Sequence, residues 1–246
     1  MALTLETLKR RFPRVELPVL LVLAGASAAI AAFIEIAGLV REGESHMFDE
    51  RLLLALRDAM DPSHGRGPRW VEEMARDFTG LGGVAVLSLI TMASVGYLLL
   101  MRKRHAALLV GVAVGGGILL STLFKAGFDR PRPDLVTHLS QVYTASFPSG
   151  HSMMAAITYL TLGALLARLH EDWRIKILLV FTAILITLLV GVSRVYLGVH
   201  WPTDVMAGWA AGAAWAALCW LAAQWFQRHG EIESDCDGVF LAAISL

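Results

Sequence analysis

Three short polar stretches, far apart in the chain, contain residue types that bind phosphate and transfer phosphoryl groups. They are KAGFDRPRP at residues 125–133, FPSGH at residues 147–151 and SRVYLGVHWPTD at residues 193–204. Each stretch lies beside a long apolar run, where charged side chains are costly and usually serve a function. These three stretches are therefore the first place to expect a functional site.

The first group of side chains suits a polyanion. Lys125, Arg132 and Arg194 would form a cationic cluster. Ser149 and Gly150 begin an apolar run, so their backbone N–H groups and the positive end of the helix dipole could bind phosphate. Taken singly, a basic residue beside a span can be a snorkelling anchor and Ser149 a helix cap. Only the combination indicates an anion site.

The second group can move protons and attack phosphorus. His200 can act as a nucleophile, and Asp204, four residues later, can hold Nδ1–H and so fix the tautomer. His151 then remains as a proton donor. Asp204 also suits the first turn of a helix that begins at Pro202, whatever its function. Together with the cations, these residues predict a phosphoryl-transfer site.

A metal site is the competing interpretation. Its conceivable ligands are His138, His151, His200 and Asp204. Three fixed cations would repel a divalent ion at the same place, so we predict neither a metal nor another cofactor. Cys219 and Cys236 form no disulfide framework and no metal-ligand spacing.

The composition indicates where such a site must be built. Hydrophobic residues make up 56% of the 246 residues and charged residues only 17%, with a mean hydropathy of +0.60. Soluble domains carry about a quarter charged residues, so the bias points to a membrane. The formal net charge is zero, which gives no sign of a nucleic-acid-binding surface.

Six apolar runs are long enough to cross a bilayer as helices. They cover approximately residues 17–40, 80–101, 105–124, 152–169, 176–197 and 203–226. The runs lack the alternation of barrel strands, so the predicted fold is all-α, a six-span transmembrane bundle. No second domain or repeat is visible, and we expect one membrane-embedded unit over residues 1–246. The sequence leaves open whether the first run is retained or is cleaved as a signal peptide.

Basic residues predict the orientation of the bundle. They flank one set of span ends at four places: Lys9 to Arg14, Arg102 to Arg104, Arg168 to Lys176, and Arg228. With six spans these places share one face, which we expect to be cytoplasmic together with both termini. The three polar stretches then share the opposite, extracytoplasmic face. In a bacterial inner membrane this face would be periplasmic.

The segment 41–79 is too long for a plain turn and is predicted to form short extracytoplasmic helices between the first two spans. Phe48, Leu52, Leu56 and Ala59 follow helical spacing, as do Trp70, Met74 and Phe78. The pattern predicts that Asp49, Glu50, Arg57 and Asp58 point away from the apolar face. Interfacial helices that shape lipid access and amphipathic packing against the bundle both remain open.

The three stretches resemble the motifs of the type 2 phosphatidic acid phosphatase superfamily, which also contains the vanadium haloperoxidases. The family pattern is K-x6-RP, PSGH and SR-x5-H-x3-D. Here it matches at Lys125 with Arg132 and Pro133, at Pro148 to His151, and at Ser193, Arg194, His200 and Asp204. The motif-bearing region is 125–204, and the bacterial integral-membrane branch is the most similar. DRPRP also offers Arg130, but only Arg132 has the family spacing.

The resemblance implies a metal-independent mechanism with a phosphohistidine intermediate. His200 would attack phosphorus, Asp204 would orient His200, and His151 would protonate the leaving oxygen and then activate water. The phosphate oxygens would be held by Lys125, Arg132, Ser149, Gly150 and Arg194.

The implied substrate is a phosphate monoester or diphosphate of a membrane lipid. Phosphatidic acid and phosphatidylglycerophosphate come first, undecaprenyl diphosphate is the alternative, and lipid A phosphate is less favoured. A haloperoxidase would use the same residues to hold vanadate, but the known members of that branch are soluble. A lipid or anion transporter would place its site nearer the bilayer centre. Neither the physiological lipid nor the oligomeric state follows from the sequence.

Overall fold

The computed structural model describes residues 17–58, 60–61, 63–136, 139 and 145–228. Eight α-helices and no strand occur in this part of the chain; an isolated antiparallel bridge joins Arg57 and Gly65. In chain order the helices are α1 Leu17–Glu42, α2 His46–Ala55, α3 Arg69–Leu81, α4 Val84–Leu100, α5 Arg104–Gly127, α6 Gly150–Arg168, α7 Trp173–Tyr196 and α8 Pro202–Arg228. The all-helical prediction is therefore confirmed for the described residues.

Five of these helices are long and apolar enough to cross a membrane: α1, α5, α6, α7 and α8. Helix α4 has 17 residues and reaches spanning length only with α3, across a bend of 44°. The predicted run 80–101 overlaps this bend, because apolar composition alone does not show where the backbone turns at Gly82 and Gly83. The described chain thus has five candidate spans, or six if the bent pair counts as one. Its outward-facing leucine, isoleucine and valine side chains suit a lipid environment.

Helix α6 lies at the centre and packs against α5, α7 and α8, while α1 packs against α8. Glycines let α6 and α8 approach closely, as is common between helices in membranes. A Cβ atom on Gly208 would lie 2.7 Å from the Ser149 carbonyl oxygen, and one on Gly212 would lie 2.5 Å from that of Met153. The backbone N–H of Ser149 also donates to the carbonyl oxygen of Asp204 at 2.9 Å. These contacts hold the first turns of α6 and α8 side by side.

The segment between α1 and α4 contains two helices, as predicted, but the predicted faces of α2 are wrong. Asp49 and Arg57 are buried, whereas Phe48 and Leu52 are about half exposed. Leu53 provides the buried apolar contact instead. A buried carboxylate must be hydrogen-bonded, and Asp49 finds its partners outside α2. These partners, and not the spacing of apolar residues, determine which face of α2 is buried. Ala59 lies outside the described residues.

Helix α3 packs against α7, with Ala75 as its buried residue. Trp70 and Met74 are exposed, so the stripe that they form with Phe78 does not face the bundle core. The C-terminal end of α3 nevertheless reaches the polar stretches. Helix α3 therefore matters for the site through its last turn.

Candidate active site

The three polar stretches meet at one end of the bundle, where α5 and α7 end and α6 and α8 begin. They surround a cavity of about 440 Å³. Six of the eight predicted site residues line it: Lys125, Arg132, Gly150, His151, Arg194 and His200. The sequence motifs thus meet at one place in space, although Lys125 and Asp204 lie 79 positions apart in the chain.

The start of α8 fixes the position of Asp204 through local chemistry. Pro202 is the first helical residue and Asp204 the third, as predicted. The Asp204 carboxylate reaches back and accepts a hydrogen bond from the backbone N–H of Trp201 at 3.0 Å, in the manner of a capping box. The helix-start role of Asp204 is therefore present, and the same geometry turns its Oδ2 towards His200.

Asp204 is fully buried and holds the inner side of the His200 ring. Its Oδ2 lies 3.4 Å from Nδ1 of His200 and also accepts from the hydroxyl of Ser146, while Oδ1 accepts from Arg130 at 2.6 Å. On the outer side, Arg132 Nη1 lies 3.2 Å from Nε2 of His200. Because a guanidinium can only donate, Nε2 is the acceptor and Nδ1 carries the proton. The unprotonated Nε2 of His200 therefore faces the cavity.

Burial changes the ionisation of the groups in the loops. It lowers the pKa of His200 from 6.5 to about 4, although Asp204 acts in the opposite direction. Burial also lowers the pKa of Arg132, again opposed by Asp204, but an arginine stays cationic near neutral pH. The site therefore presents a neutral imidazole beside a guanidinium cation.

The first turn of α6 contributes His151, Gly150 and Ser149. His151 lines the cavity, and Lys125 Nζ lies 3.6 Å from where a Cβ on Gly150 would stand. The hydroxyl of Ser149 caps α6 by accepting from the backbone N–H of Ser152 at 3.4 Å. Ser149 is buried and does not line the cavity, so the structure places its hydroxyl at the helix cap.

Arg194 is held by a residue that the sequence did not indicate. Its Nη1 donates to the hydroxyl of Thr79, in the last turn of α3, at 2.9 Å. Gly82, three residues later, leaves room for Val190 and His151, because a Cβ there would clash with the Val190 side chain and lie 3.2 Å from the His151 carbonyl oxygen. The bend between α3 and α4 thus packs directly against the site. The run TGLGG at residues 79–83 was predicted to lie at the start of a span, and no local pattern in it indicated these contacts.

The choice between the two arginines of DRPRP follows from their surroundings. Arg132 lines the cavity, whereas Arg130 forms ion pairs with Asp49 at 2.7 Å and with Asp204 at 2.6 Å. Asp49 was predicted to face away and was missed as a site neighbour, as was Ser146. Arg130, to which the family spacing gives no role, was the available signal, because breaking up a buried ion pair is costly and a buried arginine therefore often has a carboxylate partner.

No group of three or more histidine, cysteine, aspartate or glutamate side chains among the described residues is arranged to hold a metal ion. His138, one of the conceivable ligands, lies outside those residues. The polar end of the cavity instead combines Lys125, Arg132 and Arg194 with two histidines, a set suited to an anion.

The family follows from sequence comparison. The sequence model of the PAP2 superfamily matches residues 106–228, half of the chain, and this match includes all three motifs. The chain belongs to the PAP2 superfamily. Phosphatidylglycerophosphatase B of Bacillus subtilis is similar to this PAP2 protein, with 37% identity over 146 residues, which are 58% of this chain and 70% of that protein. An undecaprenyl-diphosphatase of Sulfolobus acidocaldarius is 41% identical over 68 residues, 28% of this chain and 29% of that protein.

Comparison with solved structures supports the same family. A crystal structure of a transmembrane PAP2-type phosphatidylglycerolphosphate phosphatase from Bacillus subtilis superposes with a TM-score of 0.70 at 27% identity, covering 85% of this chain and 98% of that one. This PAP2 protein is therefore an integral-membrane lipid phosphatase, and the prediction of a hydrolase is confirmed.

Proposed function

We propose that this PAP2 phosphatase hydrolyses the phosphate monoester of a glycerophospholipid, with phosphatidylglycerophosphate and phosphatidic acid as the preferred substrates. The observation that carries the proposal is the two-sided character of the cavity. The three cations and both histidines line the cavity together with a larger apolar surface. The apolar lining comes from α4, α5 and α6: Val84, Leu87, Val114, Ile118 and Met154. A lipid phosphate suits both kinds of lining, with its headgroup on the cations and its tail against the apolar side chains.

The proposed reaction starts at Nε2 of His200. A phosphate oxygen replaces this nitrogen as the acceptor for Arg132, and the freed lone pair attacks phosphorus in line with the leaving oxygen. The P–O bond breaks, the leaving alkoxide takes a proton from His151, and a phosphohistidine forms. Asp204 stabilises the imidazolium through Nδ1–H. Water then attacks phosphorus, His151 accepts its proton, and His200 is released.

The cations stabilise the charge that develops on the phosphoryl oxygens. Lys125, Arg132, Arg194 and the Gly150 N–H supply these donors, while the Ser149 hydroxyl supports the turn as the cap of α6. These fixed positive charges take the place that a divalent ion has in many phosphatases, so we expect full activity in EDTA.

We further propose six spans within a single membrane-embedded unit, in which the 17-residue α4 forms the second span by itself and α2 and α3 lie on the extracytoplasmic side. The site lies where α5 and α7 end and where α6 and α8 begin, so these four helices alternate in direction. The basic turns, Arg102 to Arg104 and Arg168 to Arg174, lie at the opposite helix ends. The positive-inside rule then puts the site outside and the termini in the cytoplasm. The basic segment Lys9 to Arg14 lies outside the described residues.

Undecaprenyl diphosphate is the second candidate substrate. The similarity to an undecaprenyl-diphosphatase supports it, although only over 68 residues. One phosphate of undecaprenyl diphosphate would bind the same three cations, and the prenyl chain would contact the same apolar side chains. Lipid A phosphate is the third possibility, with a larger headgroup for the same cavity.

The test is phosphate release by purified protein in detergent, with kcat/KM compared across phosphatidylglycerophosphate, phosphatidic acid, undecaprenyl diphosphate and lipid A. Each assay is run with and without EDTA, and His200→Ala serves as the control for contaminating phosphatases. We expect the two glycerophospholipids to give the highest kcat/KM. Faster turnover of undecaprenyl diphosphate or lipid A would contradict the substrate assignment, and loss of activity in EDTA would contradict the metal-free site.

A further inference from the structure

A buried ionic network joins helix α2 to His200. Helix α2 belongs to the segment between α1 and α4, which we call the insertion. Arg130 lies at its centre and is about one-eighth exposed, whereas the carboxylates of Asp49 and Asp204 are completely buried. One guanidinium nitrogen, Nη1, donates to Asp204 at 2.6 Å, and the other, Nη2, donates to Asp49 at 2.7 Å. Arg130 is therefore shared between a carboxylate of the site and a carboxylate of the insertion.

Asp49 is also held in place by several hydrogen bonds. Its Oδ1 accepts from the backbone N–H of Thr203 at 2.9 Å and its Oδ2 from the Thr203 hydroxyl at 2.7 Å. The same hydroxyl accepts from Arg130 at 2.9 Å. Because Thr203 is the second residue of α8, Asp49 places its negative charge at the positive end of that helix. The insertion thus holds the start of α8 in addition to Arg130.

Among the described residues, the ion pairs of this network reach His200 through Asp204. Ser146 makes a second link, because its backbone N–H donates to the Arg130 carbonyl oxygen at 3.0 Å and its hydroxyl lies 3.4 Å from Nδ1 of His200. Oδ1 of Asp204 is taken by Arg130, which leaves Oδ2 for Nδ1 of His200, for Trp201 N–H and for the Ser146 hydroxyl. Neither Arg130 nor Asp49 lines the cavity, so neither contacts the substrate phosphate directly. A shift of Arg130 would change which carboxylate oxygen faces the imidazole and how strongly it attracts the ring proton.

On the basis of the proposed function, we infer that Asp49 and Arg130 are positioning residues of the phosphatase. They lock the orientation and balance the charge of Asp204, so that His200 keeps its nucleophilic nitrogen towards the cavity. Asp49 limits the attraction of Arg130 for Asp204, and Arg130 limits the attraction of Asp204 for His200. The insertion between the first two spans is thereby a structural part of the catalytic site.

The two charges predict opposite effects on His200. Asp49→Asn makes the surroundings of His200 more positive and lowers its pKa, while Arg130→Gln removes a positive charge and raises it. Other charged or titratable groups border His200 from each element around it: Lys125 on α5, Arg132 in the loop, His151 on α6, Arg194 on α7 and Asp204 on α8. All of these stay unchanged in both variants. A merely structural role would not give shifts of opposite sign.

The experiment measures two properties of Asp49→Asn, Arg130→Gln and Arg130→Lys. The first is kcat and KM with dioctanoyl phosphatidic acid in detergent. The second is the pKa of His200, from ¹⁵N-histidine NMR with the signal assigned against His200→Ala. We expect kcat to fall about 10- to 100-fold in the first two variants, as for lost partners of metal-binding histidines, with KM little changed. Arg130→Lys should keep more activity than Arg130→Gln.

Glu50→Gln is the matched control. It removes a carboxylate from the same helix, but Glu50 is partly exposed and pairs with His46 at 3.1 Å. We expect this variant to behave as wild type in both measurements. An equal loss of kcat in Glu50→Gln would overturn the proposal.

The NMR measurement needs no substrate, so it tests the inference even if the wild type releases no phosphate from any lipid. Inactive wild type would refute the proposed function, and opposite pKa shifts would still support the positioning role. If Asp49→Asn does not fold, the comparison of Arg130→Lys with Arg130→Gln takes its place. Unchanged kcat and unchanged His200 pKa in folded variants would overturn the inference.

Discussion

At His200, the two neighbours of the ring determine what the side chain can do. Arg132 donates to Nε2 at 3.2 Å, and Asp204 faces Nδ1 at 3.4 Å, so the ring is neutral with its proton directed inwards. The motif spacing predicted that His200 and Asp204 are neighbours, and the two side chains do lie 3.4 Å apart. It could not predict Ser146, because the hydroxyl that binds Asp204 comes from 58 residues away.

The low pKa of His200 predicts an enzyme that stays active in mild acid. The nucleophile must be neutral, and burial lowers its pKa to about 4, so protonation should remove activity only as the pH falls towards 4. An unperturbed histidine would already lose activity near pH 6.5. The measurement is the pH profile of kcat/KM, corrected for the separately titrated ionisation of the free substrate. An acid limb that remains near pH 6.5 after this correction would contradict the described burial of His200.

At the scale of the helices, the bend between α3 and α4 brings the insertion to the site. The apolar pattern indicated helices in this segment. The hydrogen bond between Thr79 and Arg194, however, joins residues 115 positions apart, and no local sequence pattern predicts it. The same applies to Asp49, which the helical periodicity of α2 assigned to the wrong face. Local patterns predicted the presence of these helices, whereas tertiary ion pairs and hydrogen bonds decided their orientation.

Thr79→Val tests the contribution of α3 to the phosphate site. The variant keeps the shape of the side chain but removes the acceptor for Arg194, and a hydrogen bond to a charged group is worth about 1.5–3 kcal/mol. We expect kcat/KM to fall roughly 10- to 100-fold, measured with phosphatidic acid in detergent, and Thr79→Ser to restore most of it.

The control is Thr91→Val on α4. The hydroxyl of Thr91 is buried without a hydrogen-bond partner among the described residues, so the same substitution removes no such bond. We expect wild-type kcat/KM for this control. If Thr79→Val were as active as Thr91→Val, the Thr79 contact would have no role in the reaction.

At the scale of the whole molecule, hydropathy predicted most of the fold because the bilayer imposes length and composition on each span. Helices α1, α5, α6, α7 and α8 correspond to predicted runs. The ambiguous case is α4, whose 17 residues are short for a span and continue into α3 across a bend. The turn at Gly82 and Gly83 depends on packing against His151 and Val190, which sequence composition does not encode.

The proposed orientation can be tested with single cysteines in a variant that lacks Cys219 and Cys236. Met60→Cys lies in the insertion at a side chain that is 94% exposed, and Glu171→Cys lies in the exposed turn between α6 and α7. In intact cells we expect a membrane-impermeant maleimide to label position 60 and not position 171. The reverse labelling would mean that the site faces the cytoplasm.

The central claim is that His200 carries the phosphoryl group during turnover. The most direct measurement is rapid quenching with ³²P-labelled phosphatidic acid, followed by denaturation in alkali, in which phosphohistidine survives. We predict a labelled protein in the wild type and none in His200→Ala. Label on His200→Ala, or turnover by the wild type with no labelled protein at any quench time, would contradict this account.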